Sequence, residues 1–138
     1  MPLVLWNDRF ATGIPIVDEQ HRTLIGIIND LNDGLGNGQS MEQFVRTLGT
    51  LLENTVQHFA TEENFMALHR FGGLEGHRLE HRLLLEEVGA LQAQVGLPSI
   101  ALRPQDIPRF LGDWLGHHIQ EHDFEYVRFL KANGSKWG

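Results

Sequence analysis

Along most of this chain apolar residues recur every three or four positions, the spacing of a helix that buries one face. Val17, His21, Leu24, Ile25, Ile28 and Leu31 share such a face, until Asn32-Asp33-Gly34 and Gly36-Asn37-Gly38 form a turn cluster. With Asp18 read as the N-cap, the first helix covers about 18–35. Ser40 followed by Gln43 is a capping-box pattern. After it Phe44, Leu48, Leu51, Thr55, His58, Phe59, Glu62 and Met66 hold one face of a second helix, which stops before Gly72-Gly73 and covers about 40–69. A third helix, about 74–95, turns Leu74, His77, His81, Leu84, Leu85, Val88 and Leu91 inward and fades near Gly96 and Pro98. Pro104 and Pro108 suit the loop and first turn of a fourth, about 105–133, whose inward face holds Leu111, Trp114, Leu115, His118, Ile119, His122, Tyr126 and Phe129. Residues 1–17, with Pro2, Gly13 and Pro15, read as an extended arm packed on the body. No segment reads convincingly as a strand. The pattern predicts an all-α fold, an antiparallel up-down-up-down four-helix bundle with an N-terminal arm.

The chain has 138 residues, the size of one domain, so one core and one site are expected across residues 1–138. Its net charge of -7 lacks the cationic surface that nucleic acid or an anionic membrane demands. There is no Cys, which removes disulfides, thiolate metal sites, iron–sulfur clusters and a thiol nucleophile together. No apolar run reaches bilayer length, and the start carries Asp8 and Arg9 where a secretory leader needs apolar residues. These features lead us to expect a cytoplasmic protein without membrane insertion.

Eight His change the picture. Positions four apart on a helix differ by only about 40°. His58 and Glu62 therefore share the inward face of the second helix, and His77 and His81 that of the third. His21 points inward on the first helix and His118 on the fourth. A single His on an apolar face is usually a hydrogen-bonded core residue. Five of them with a carboxylate need more partners than a small bundle can spare, because its backbone groups are already used. A metal centre supplies all of them at once. Five imidazoles exceed one tetrahedral zinc, and calcium and magnesium prefer oxygen. A nitrogen-and-oxygen donor set drawn from four helices suits a pair of iron or manganese ions, and the imidazole richness tilts toward iron. Ferritin-like di-iron oxidases carry Glu-x-x-His motifs, and none occurs here.

The chain resembles the hemerythrins, in particular their bacterial branch. The matching residues are Ile16-Val17-Asp18-Glu19-Gln20-His21 with Leu24 and Asn29, His58-Phe59-Ala60-Thr61-Glu62-Glu63, His77-Arg78-Leu79-Glu80-His81, and Trp114-Leu115-Gly116-His117-His118-Ile119 leading to Asp123 and Tyr126. They span all four helices. The resemblance implies a cofactor of two iron ions bridged by an oxo or hydroxo group and two carboxylates. His77, His81 and His118 would hold one iron and His21 and His58 the other, with Glu62 and Asp123 bridging. The first iron is then coordinatively filled, and the second keeps a vacancy where dioxygen would bind. Spacing by itself favours His118 and His122 as a pair, since Asp123 lies about 140° from His118; the resemblance assigns Asp123.

Reversible binding requires a dry pocket, and by position Leu24, Phe59, Trp114, Leu115 and Ile119 would wall it, a role compatible with plain core packing. His122 departs from the smaller or apolar residue expected there. It is either hydrogen-bonded to a neighbouring helix or poised near the centre, offering a proton or hydrogen bond. In the second case replacing it with Leu slows autoxidation. His117 is expected on the surface, and His69 on the surface or capping a helix. The function expected is reversible dioxygen binding, as carrier, store or delivery protein, with an oxygen-consuming enzyme as recipient. Two other readings remain open: an oxygen- or redox-sensing module, and a di-iron peroxidase or oxidase.

Overall fold

The computed structural model describes residues 6, 10–94, 104–119 and 124–132. Every regular element among them is helical: α1 (Pro15–Gly36), α2 (Met41–Leu68), α3 (Leu74–Gln94), α4 (Ile107–His118) and α5 (Phe124–Ala132), with one 3₁₀ turn at Pro104–Asp106 before α4. Short links join α1 to α2 and α2 to α3, so each pair runs antiparallel. α1 packs on α2 and on α4, and α2 packs on α3. This is the bundle that the periodicity predicts. The span expected as one helix over about 105–133 is described as α4 and α5, on either side of residues 120–123, which lie outside the described residues. None of the described helices is long and apolar enough to cross a membrane.

Local chemistry explains the helix ends, with one correction. Helix α1 starts at Pro15, whose fixed φ suits a first turn, and Ile14 rather than Asp18 is its N-cap. Residues 15–17 therefore belong to the helix and not to the arm. Asp18 is buried in the first turn and reaches back to the arm. Its carboxylate accepts the Thr12 N–H at 2.8 Å, the Thr12 hydroxyl at 2.7 Å and the Gly13 N–H at 3.1 Å. Gly13 has φ 85°, a left-handed bend that glycine adopts freely, and the bend presents both N–H groups to one carboxylate. At α2 the expected cap is present: Ser40 Oγ accepts the Gln43 N–H at 3.2 Å. The far end of α2 closes with Arg70 at φ 54°. Phe71 N–H donates to the Met66 carbonyl and Arg70 N–H to that of Ala67, the pattern of a Schellman turn. Glycine is the usual residue at that left-handed position. Here Arg takes it, and Gly72-Gly73 follow.

The core divides into two apolar clusters. The larger holds Leu24, Ile28, Leu31, Phe44, Leu48, Leu51, Phe59, Val88, Leu111, Trp114, Leu115 and Ile119 among others. The smaller holds Ile14, Val17, Met66, Phe71, Tyr126 and Val127. In sequence the buried His fall between the two. On α1, His21 follows Val17 and precedes Leu24; on α2, His58 and Glu62 stand between Leu51 and Met66. A polar layer is thus inserted between two apolar ones.

Candidate metal centre

Five imidazoles and one carboxylate meet in that layer. His21, His58, Glu62, His77, His81 and His118 are all at least nine-tenths buried. The helical repeat brings them there. His58 and Glu62 are one turn apart on α2, His77 and His81 one turn apart on α3, and α1 and α4 add one imidazole each.

Their geometry resolves into two groups. His77, His81 and His118 form a triangle of rings with centroids 5.1, 5.1 and 6.0 Å apart. His21 and His58 form a pair at 4.4 Å. Glu62 belongs to both. One donor atom from each of Glu62, His77, His81 and His118 lies within 4.8 Å of the others, and the same holds for His21, His58 and Glu62. Glu62 Oε1 is 3.9 Å from His21 Nε2 and directly contacts His58 Nε2. Two donor clusters sharing one carboxylate suit two metal ions with a bridging ligand.

The chemistry of the donors agrees. His81 Nδ1 is occupied by Glu63 at 2.9 Å, while its Nε2 is buried with no hydrogen-bond partner among the described residues. Burial lowers the His81 pKa, against the opposing pull of Glu62 and Glu63, so the imidazole stays neutral and keeps a lone pair for a metal. The Tyr126 phenol, buried and facing the charge of Glu62, is pushed well above its ordinary range and stays protonated. The residues present therefore fit a di-iron group.

The residues expected to wall a gas pocket are all buried and all fall in the larger apolar cluster: Leu24, Phe59, Trp114, Leu115 and Ile119. Phe59 stacks on the His81 ring with centroids 3.8 Å apart and planes 3° from parallel, and it also lies 5.3 Å from His118. It therefore packs against the three-imidazole group. His69 ends α2, with Nδ1 on the Phe65 carbonyl at 2.8 Å, and His117 is exposed on the outer face of α4. Asp123 and His122 lie outside the described residues.

Sequence reasoning assigned no role to two groups that hold the imidazoles from behind. Gln20 Oε1 is 2.7 Å from His58 Nδ1, and Glu63 Oε2 holds His81 Nδ1. Each is the chain neighbour of an inward residue, Gln20 of His21 and Glu63 of Glu62. About 100° around a helix from an inward residue, a side chain meets the adjacent helix, and that offset was the available signal.

Comparison with known proteins agrees with this geometry. Residues 12–130 match the family model of the hemerythrin HHE cation binding domain. The chain is 31% identical to a bacteriohemerythrin of Methylococcus capsulatus over 133 residues, covering 96% of this chain and all of that protein. It is 27% identical to a bacteriohemerythrin of Pseudomonas aeruginosa, covering 99% of this chain and 87% of that one. It is 32% identical to a hemerythrin chain of Sipunculus nudus, covering 91% of this chain and 92% of that one. The crystal structure of a wild-type hemerythrin superposes with a TM-score of 0.81 at 29% identity, covering 91% of this chain and 96% of that one. The buried imidazoles, the shared carboxylate and these likenesses lead to one conclusion: the chain belongs to the hemerythrin family, oxygen-binding proteins with a non-haem di-iron centre.

Proposed function

We propose that this protein binds dioxygen reversibly and serves as a carrier or store that delivers it to an oxygen-consuming enzyme. The observation that carries the reading is the buried layer in which Glu62 belongs to both a three-imidazole and a two-imidazole cluster. His77, His81 and His118 would hold one iron and His21 and His58 the other. Glu62 would bridge them, with Asp123 as the second bridge by its position in the family motif. Held by these residues, a reduced iron pair would supply the electrons for reversible dioxygen binding.

The side chains of this protein do the rest. With the carboxylates shared, His77, His81 and His118 would give one metal position one more ligand than His21 and His58 give the other, which would keep room for dioxygen. Leu24, Leu115, Ile119, Phe59 and Trp114, all in the larger apolar cluster, would wall the gas site and keep water and protons from it. Such exclusion favours release of the gas over irreversible oxidation. His81 is neutral by burial, and Tyr126 keeps its proton. An imidazole-rich shell donates less charge than a carboxylate-rich one, which favours binding over oxygen activation. No catalytic turnover is required.

The test is anaerobic reduction followed by repeated exposure to dioxygen and argon, with absorption spectra at each stage. A charge-transfer band that appears and disappears over many cycles supports a carrier. Sustained turnover of peroxide by the reduced protein would favour the peroxidase reading and count against this one.

A further inference from the structure

The imidazoles at His58 and His81 are held from behind by unlike partners. Gln20 Oε1 lies 2.7 Å from His58 Nδ1, and Gln20 Nε2 donates to Thr61 Oγ1 at 3.2 Å. The Thr61 hydroxyl proton is already committed to the Gln57 carbonyl at 3.0 Å, so Thr61 accepts from Gln20 and the amide cannot be turned around. On the other side Glu63 Oε2 lies 2.9 Å from His81 Nδ1, and Glu63 Oε1 lies 3.4 Å from Arg78 Nε. Both atoms facing the rings, Gln20 Oε1 and Glu63 Oε2, only accept. Both imidazoles therefore carry their proton on Nδ1 and turn Nε2 toward the cluster.

The tautomer is common to the two sides, but the charge is not. A carboxylate behind an imidazole N–H forms a charge-assisted bond and makes the ring a stronger donor to a metal. An amide oxygen does this far less. Arg78 fixes the orientation of the Glu63 carboxylate, but it is itself half exposed and screened by water. We propose that Glu63 and Gln20 are positioning residues that make the two metal positions unequal in redox character. Glu63, through His81, makes the His77–His81–His118 position the one that holds the ferric ion once a single electron has been removed. Gln20, through His58, leaves the His21–His58 position ferrous. The inference rests on the ligand assignment proposed above. It goes beyond that assignment by ordering the two positions.

The experiment uses the full chain loaded with 57Fe, reduced anaerobically and treated with one equivalent of ferricyanide, which takes one electron and becomes ferrocyanide. Glu63→Gln and Gln20→Glu nearly preserve side-chain shape at sites open enough to tolerate them. The first midpoint potential rises in Glu63→Gln and falls in Gln20→Glu. In the double variant carrying both changes, the Mössbauer ferric signal moves from the coordinatively filled position to the open one. A second readout needs no iron: in the metal-free protein the Nδ1 proton of His81 resonates downfield of that of His58, and Glu63→Gln closes the gap. If both variants keep two irons per chain with potentials and ferric signals unchanged, or if the two proton resonances coincide in the wild type, the inference is overturned. If the wild type itself fails to take two irons, the ligand assignment fails instead.

Discussion

On α1, Leu24, Ile28 and Leu31 lie on the same face as His21, and on α2 Phe44, Leu48 and Leu51 lie on the same face as His58 and Glu62. One helical period places both sets, yet they ask opposite things of the fold. The apolar residues need only neighbours. Each stabilises by roughly 1.5–3 kcal/mol when buried, and the larger cluster is complete without help. The polar layer costs free energy to bury and returns it only when its donor atoms are engaged. The apolar end should therefore carry the stability of the metal-free protein, and the histidine layer its chemistry.

The largest effect on this division is expected from Glu62→Ala. It removes the carboxylate that both clusters share, so binding of the iron pair is lost, while the metal-free protein unfolds at a temperature equal to or above that of the metal-free wild type. Metal analysis and calorimetry read both. Phe44→Ala is the converse. It opens a cavity in a fully buried site and costs about 3–5 kcal/mol in urea titrations of the metal-free protein, with two irons per chain retained on loading. Asp18→Ala comes next. It frees three donors that the carboxylate now holds, two of them buried, and costs about 1.5–3 kcal/mol. Hydrogen exchange at Thr12 and Gly13 then rises before that of the core. Ser40→Ala, remote from the site, costs about 1 kcal/mol and leaves the spectrum of the loaded protein unchanged.

Acid separates the two regions as well. Burial lowers the His81 pKa below the ordinary 6.5, so the unfolded chain binds more protons than the folded one as pH falls through that range. Stability is then greatest above the unfolded value and is lost toward acid. The melting temperature of the metal-free protein should fall between about pH 7 and pH 5 by more than that of His81→Leu, whose slope lacks this proton.

Much of this was legible in the sequence because helical spacing is a strong signal. The inward positions of His21, His58, Glu62, His77, His81 and His118 follow from it, as does the Ser40 cap. The start of α1 does not, because Asp18 is a good N-cap by composition, while Pro15 at the first turn outweighs it and the carboxylate instead fastens the arm. The grouping into three imidazoles and two comes from likeness to a family and not from spacing, since a helical wheel says which face a residue takes and not which helix it meets. Gln20 and Glu63 escape the sequence for the same reason: their partners are on other helices, 38 and 18 positions away.

If one shared carboxylate joins two imidazole clusters into a two-metal site, iron uptake must follow that geometry. Anaerobic titration of the metal-free protein with ferrous ion measures it. Saturation at two irons per chain, magnetically coupled after oxidation, is the expected result. Saturation at a single uncoupled iron, or unchanged uptake of two in Glu62→Ala, would contradict it.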